Sequence, residues 1–245
     1  FISVEALIKN NIFGAIKLLK LCEKFNPNFF FSVSTDKAAN PVNIMGASKL
    51  IMEKIIISFK NKFRVSTARF ANVAFSNGSL LDGFTYRLKK KQPLSCPNDI
   101  KRFFVTPKQS GQICLLSTFL GESGSIFFPK LNFNKDQIYF KDIALKFLKK
   151  NGFDPHISNS ETEAKSFKIN NKSKFYPIYF FKTDTSGEKK YEEFYTEEEN
   201  YFLDKYISLG YILPGTSSFL IKSLEKDFLN VFNNIKSNKK DIINV

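Results

Sequence analysis

The chain has no tryptophan, one histidine, three cysteines and two methionines in 245 residues. Each scarcity removes a class of chemistry. Cys22, Cys96 and Cys114 are far apart and odd in number, with no Cys-x-x-Cys. That pattern excludes a disulfide framework and a structural zinc site, and it suits a reducing, cytoplasmic compartment. His156 stands beside Pro155 in a loop-like stretch, and nothing near it supports a Ser-His or Cys-His nucleophile. No apolar run reaches the roughly 18–20 residues that cross a bilayer, so this chain carries no membrane segment, and no signal peptide is visible. Acidic residues are also the minority, 23 against 37 basic, for a net charge of +14. Lysine clusters at 89–91, 149–150, 189–190 and 239–240 are short and scattered over the whole chain. Scattered lysines make a solvated surface, not a nucleic-acid footprint, which needs them on one face.

What is present suits a folded α/β protein. Hydrophobic residues make up 43% and Phe with Tyr 16%, enough for a real core and too much for disorder. Val4, Leu7, Ile8, Ile12, Ala15, Ile16, Leu19 and Cys22 recur at helical spacing over residues 3–24. After a break at 26–28, Phe29–Val33 is a short, nearly unbroken apolar run, the pattern of a strand buried on both faces of a parallel sheet. A helix over 45–59 and a strand over 64–70 follow, then a polar loop and a helix over 80–90. Helix, strand, helix, strand is the grammar of a doubly wound sheet, with 29–34 and 64–70 as adjacent parallel strands. Further on, "KRFFVT" reads as a strand, 107–120 as a helix, "GSIFFPKL" as a strand and 143–150 as a helix. From Asn151 the texture turns polar. An aromatic strand "FYPIYFF" and a charged helical stretch "SGEKKYEEFYTEEENYFLDKY" follow. A boundary near 150 divides the chain into residues 1–150 and an appendage, 151–245.

The most informative stretch is "FSVSTDKAANPVNIMGASKLIMEK", Phe31 to Lys54. Ligands of open parallel sheets gather outside the carboxyl ends of the strands, and Ser34, Thr35, Asp36 and Lys37 leave such an end. Met45 and Lys49 are four apart and share one face of the next helix. That face can meet the strand end and bring Thr35, Asp36, Lys37 and Lys49 around one cavity. Taken singly, Asp36 and Asn40 cap turns, Lys37 is solvated and Met45 is core. The combination carries more.

Ser-Thr-Asp-Lys-Ala at 34–38, Asn-Pro at 40–41 and Met-Gly-Ala-Ser-Lys at 45–49 resemble the active-site region of the extended short-chain dehydrogenase/reductase family. The likeness is to its polysaccharide-biosynthesis branch, the UDP-N-acetylglucosamine 4,6-dehydratases. It continues through "KNNIFGAIKLL", "RFANVAFSNGSLL" and "IKRFFVTPKQSG", covering residues 1–150 well, while "TDTSGEKKYEEFYTEEE" at 183–199 looks like the tail of a longer-tailed subgroup. The resemblance implies that residues 1–150 are the C-terminal part of a Rossmann-like domain with substrate-binding elements, using NAD or NADP on a nucleotide-sugar, and a homo-oligomer when full length. It implies catalytic roles for Thr35, Asp36, Lys37, Met45 and Lys49. Ser34, Lys49, Ala71 and Val73 would hold the cofactor, and Asn72 and Arg102 the substrate.

Two departures stand out. Met45 occupies the place of the family's tyrosine, as in a sub-branch of these dehydratases. The Gly-rich turn that grips the cofactor pyrophosphate is missing, since no GxxGxxG occurs in the chain. Phe1 is therefore read as lying partway through the domain, making this an N-terminally truncated fragment, inactive as it stands. Two other readings stay open: a nucleotide-sugar 4-epimerase or reductase of the same fold, which has no need of Asp36-Lys37, and a non-catalytic basic module.

Overall fold

In the computed structural model, residues 4–132, 134–169, 173–183, 192–215 and 221–233 are described. The first helical stretch consists of α1 (Val4–Leu7), a π-helical segment (Ile8–Gly14) and α2 (Ala15–Phe25). Its apolar positions point inward, burying Ile8, Ile12, Ile16 and Leu19. Asn26 ends it in the left-handed region, φ 47°, and donates its N–H to the Cys22 carbonyl. Then come β1 (Phe30–Thr35), a 3-10 turn (Asp36–Ala38), α3 (Ile44–Ser58), β2 (Val65–Phe70), β3 (Asn72–Val73) and α4 (Leu80–Lys89). They are followed by β4 (Leu94–Pro97), β5 (Lys101–Val105), α5 (Pro107–Leu120), β6 (Ser125–Pro129), β7 (Gln137–Tyr139) and α6 (Phe140–Lys150). The chain closes with β8 (Asp154–Ser158), α7 (Glu161–Ser166), β9 (Phe175–Phe181), β10 (Tyr201–Phe202), β11 (Leu209–Ile212) and α8 (Ile221–Asn233).

Two compact units result. The first takes residues 1–70, 110–130 and 192–245, the second 71–109 and 131–191. They cut across the boundary expected near 150, because residues after 191 return to the first unit and add strands to its sheet.

The first unit holds a five-stranded sheet in the order β1-β2-β6-β11-β10. β1, β2 and β6 are parallel, as the α/β grammar predicts, with Phe30 opposite Val65 and Thr35 opposite Phe70. β11 and β10 extend the sheet antiparallel. Strands β2 and β6 are buried throughout. β1 is not, contrary to the two-faced burial its apolar run suggests: Val33 is 50% exposed and Ser34 alone is fully buried. The reason is position, since β1 ends the sheet and pairs only with β2 among the described residues. Helices α2, α3 and α8 enclose a core of Ile16, Leu19, Ile55, Phe59, Leu224 and Phe228.

The second unit carries two three-stranded sheets, β3-β5-β7 and β4-β9-β8. Leu81, Phe84, Leu94, Cys96, Leu148 and Tyr176 pack its core. One further expectation fails. The charged stretch 186–206 was read as helical; its residues 186–191 lie outside the described set, and 192–206 form turns and β10. Aromatic residues at 194, 195, 201 and 202 anchor it to a sheet, and this packing overrides helix propensity.

Candidate active site

The strand end is built by local hydrogen bonds. Thr35 is extended and caps the 3-10 turn, accepting the Lys37 N–H at 3.4 Å. Its hydroxyl donates to Asp36 Oδ1 at 2.7 Å. Lys37 Nζ donates to both oxygens of the same carboxylate, at 3.1 and 3.3 Å. Asp36 is 4% exposed, whereas the Lys37 side chain is 33% exposed. Three consecutive residues thus form one hydrogen-bonded group, with a buried acid in the middle and an amine reaching toward solvent.

Helix α3 is held against this turn. Asn43 caps it by accepting the Gly46 N–H at 2.9 Å. A Cβ on Gly46 would stand 2.5 Å from the Lys37 carbonyl oxygen, so the close approach requires glycine. Ser48, fully buried, donates to the Met45 carbonyl at 2.9 Å and accepts from Asn11 Nδ2 at 3.0 Å. Asn11 belongs to the π-helical segment, so that widened turn is tied to α3 one residue before Lys49. The Lys49 ammonium donates to the Val33 carbonyl at 3.3 Å and approaches Met52 Sδ at 3.8 Å. Burial pulls it below the ordinary lysine value, and Glu53, one turn along, works against that. Met45 is partly buried on the same helix.

Ser34 lies just before this group. It is 3% exposed, and its hydroxyl has no hydrogen-bond partner among the described residues. A buried hydroxyl left unpaired costs free energy, a feature that Ser34 shares with Ser117 and Ser158.

The remaining predicted residues belong to the second unit. Ala71 is buried, Asn72 stands opposite Phe104 and Val73 opposite Val105. Asn72 Nδ2 donates to the Phe103 carbonyl at 3.1 Å. Arg102, 5% exposed on β5, donates to the Lys101 carbonyl at 2.8 Å. Asn72 and Arg102 therefore sit on neighbouring strands, two register positions apart. Asn72, Val73, Ser76, Ser79, Phe104 and Phe140 line a cavity of about 250 Å³ in this unit.

Residues 2–206 match the model of a family described as polysaccharide biosynthesis protein. The chain belongs to that family. Its place is in the polysaccharide-biosynthesis branch of the extended short-chain dehydrogenases/reductases. An uncharacterized membrane protein of Methanocaldococcus jannaschii is 30% identical over 91% of this chain and 65% of its own length. The UDP-N-acetylglucosamine 4,6-dehydratase (inverting) of Campylobacter jejuni is 31% identical over 51% of this chain and 39% of its own. A UDP-glucose 4-epimerase of Rickettsia canadensis is 32% identical over 53% and 40%. The chain thus spans under two thirds of each of these relatives. In fold it is similar to the structure of Pen from Bacillus thuringiensis, with a TM-score of 0.67 at 20% identity, covering 91% of this chain and 68% of that one. No described helix is long and apolar enough to cross a membrane.

In this polysaccharide biosynthesis protein the sequence reading missed one constellation. Arg69 on β2 is fully buried and is held by two carboxylates. Its Nε donates to Glu53 Oε1 at 3.0 Å and its Nη2 to Glu53 Oε2 at 2.8 Å. Nη1 and Nη2 each donate to an oxygen of Glu199 at 2.8 Å, and Nη1 also to the Phe194 carbonyl at 3.0 Å. All five guanidinium N–H groups are thereby used. Burial opposes the charge, but Glu53 and Glu199 more than offset it and hold the guanidinium above its ordinary value. One signal was available: an arginine inside a strand expected to be central in a parallel sheet, where a charge needs a partner.

Proposed function

We propose that this chain carries the elimination machinery of a nucleotide-sugar 4,6-dehydratase acting on a UDP-N-acetylglucosamine-like substrate. The observation behind this reading is the Thr35–Asp36–Lys37 group at the carboxyl end of a parallel strand, with Lys49 on the adjoining helix face. Ser34 and Lys49 suit the nicotinamide end of NAD or NADP: one offers an unpaired buried hydroxyl, the other a half-buried ammonium. When bound, that group takes hydride from the sugar and returns it. Ala71 and Val73 are proposed as further cofactor contacts. Asn72 and Arg102 are proposed for the nucleotide diphosphate, which arginine pairs through its planar fork.

The residues' own chemistry concerns the elimination. A 4-keto sugar has an acidic proton at C5 and a hydroxyl leaving group at C6. Lys37, as a neutral amine, removes the C5 proton while Asp36, as a neutral acid, protonates the departing C6 oxygen as water. The resting ion pair reaches this state by moving one proton across the 3.1 Å hydrogen bond from Lys37 Nζ to Asp36. Covering of the pair by substrate, with exclusion of water, is the condition this transfer requires. Thr35 is proposed to bond the C4 oxygen, its single hydroxyl hydrogen turning from Asp36 to do so. Met45 cannot ionise, so it contributes packing and no proton. The intact protein is proposed to be a homo-oligomer.

A 4-epimerase, the named activity of the Rickettsia relative, has no elimination and no use for this acid–base pair. In the complete gene product, Lys37→Ala is therefore expected to abolish dehydration while leaving a measurable single turnover of cofactor reduction. Mass spectrometry of the released sugar nucleotide and absorbance at the reduced nicotinamide band read the two steps separately. Parental dehydration by Lys37→Ala would overturn the assignment, and an epimerised product without water loss would favour the rival.

A further inference from the structure

The acid-rich segment near Glu192–Asn200 reads as a charged helical stretch in the sequence, and the proposed chemistry makes no use of it. The structure treats it otherwise. Phe194 is 7% exposed and stacks on Phe128, with ring planes 7° apart and centroids 6.2 Å apart. Tyr195 lies 5.0 Å from the same ring and 4.2 Å from Tyr201. Glu199 turns back over this segment to accept the Thr196 N–H at 2.9 Å while facing Arg69 with both oxygens. Arg69 is the register partner of Ser34 on β1, and Glu53 lies one helical turn beyond Lys49 on α3. One guanidinium thus fixes three pieces: the strand next to the site, the helix that carries Lys49, and the segment at 194–199.

We infer that Glu199 is a positioning residue for Lys49, acting through Arg69 and Glu53. This rests on the reading of Lys49 as a site residue given above. The physical reason lies in the count of donors. Glu53 satisfies Nε–H and one Nη2–H; among the described residues, Glu199 and the Phe194 carbonyl satisfy the rest of the fork. Removing the Glu199 carboxylate leaves two buried, charged N–H groups to find another acceptor, and the nearest flexible one is Glu53. Competition for Glu53 turns or shifts α3 at that point. A change there is felt one turn earlier, where Lys49 spans 3.3 Å to the Val33 carbonyl with no slack beyond hydrogen-bond range.

The test uses the protein labelled with 13C at lysine Cε. Glu199→Gln keeps the shape and one acceptor oxygen but removes the charge. The Lys49 signal, assigned by its loss in Lys49→Arg, is expected to move by more than its linewidth in Glu199→Gln. The signal of Lys62, which pairs with Glu23 in the same unit, should stay in place. Glu199→Asp, which keeps the charge on a shorter arm, should restore the Lys49 signal in part, and it replaces the glutamine variant if that one does not fold. An unmoved Lys49 signal in a folded variant that is merely less stable would overturn the inference and leave the segment a structural strap. In the complete gene product the same substitution should lower kcat roughly tenfold to a hundredfold with KM little changed. Lys49→Ala in that assay separates the two readings. If it turns over at the parental rate, the role given to Lys49 fails, while the lysine spectra still decide whether Glu199 positions it.

Discussion

Arg69 in the first unit and the pair Cys96 and Tyr176 in the second are kept buried in opposite charge states. In the first, Arg69 is buried as a charge, so it needs partners from β2's own neighbourhood and from the far end of the chain, 16 and 130 residues away. In the second, Cys96 and Tyr176 are buried as neutral groups. Tyr176 spends its hydroxyl on the Gln92 carbonyl at 2.8 Å. Burial alone pushes both upward, to about 12 in each case, so they stay protonated at neutral pH. The contrast separates two costs. A buried charge is stable only while every partner is present, whereas a buried neutral acid is stable only while the pH leaves it neutral. Arg69 is accordingly vulnerable to substitution of its partners, and Cys96 and Tyr176 to alkali.

The largest effect should come from breaking the charge network unevenly. Arg69→Leu leaves Glu53 buried without its cation and is expected to cost about 3–5 kcal/mol. Arg69→Leu combined with Glu53→Leu removes the two fully buried charges, leaves only the partly exposed Glu199, and should recover most of that loss. Urea unfolding followed by hydrogen exchange in β1 and β2 reports it. If the double variant is no better than the single one, the cost lies in packing and the network is not the reason.

Alkali should act on the second unit first. Cys96 is held above its unfolded value, 9.0 against about 12, so the folded state keeps a proton that the unfolded chain has lost. Its stabilising effect is fully present below pH 9 and disappears as pH rises through 12, by up to about 4 kcal/mol from this group. Tyr176 adds a loss of the same sign between 10 and about 12. Lys49 works the other way: its value is lowered, so between that value and the ordinary one the folded state binds fewer protons and the first unit gains stability with pH. Hydrogen exchange at pH 9 to 11 should show β4 and β9 opening before β1 and β2, and Cys96→Val should flatten the dependence. The reverse order of opening would remove the basis of the comparison.

Much of the first unit was legible because its signals are local. The parallel strands at Phe30–Thr35 and Val65–Phe70, the capped helix carrying Met45 and Lys49, and the strand-end group Thr35–Asp36–Lys37 follow from short windows of periodicity and turn chemistry. What was not legible depends on long separations. β11 joins β6 across some eighty residues of chain, and Glu199 reaches Arg69 from farther still. A run of glutamates reads as solvated in any local window, and only the buried arginine shows otherwise.

The smallest effect sharpens the comparison most, because among the described residues each unit has one strand serine whose buried hydroxyl lacks a partner: Ser34 on β1 and Ser158 on β8. Chemically the two orphans are alike, each 3% exposed. Replacing an unpaired buried hydroxyl by a methyl removes a desolvation penalty and leaves little void, so both Ser34→Ala and Ser158→Ala should leave stability unchanged or raise it by about 1 kcal/mol. They should differ in ligand response. If Ser34 is kept for the nicotinamide end of the cofactor, its loss should weaken NAD(P) binding by the complete gene product several-fold, the value of about 1 kcal/mol for one hydrogen bond. Ser158→Ala, at a residue given no cofactor role, should leave that affinity as it was. Thermal melts with and without NAD(P) measure both quantities in one experiment. A Ser34→Ala protein that melts lower without ligand would mean that the hydroxyl is already satisfied in the folded chain, and the reason for placing it at the cofactor would be gone.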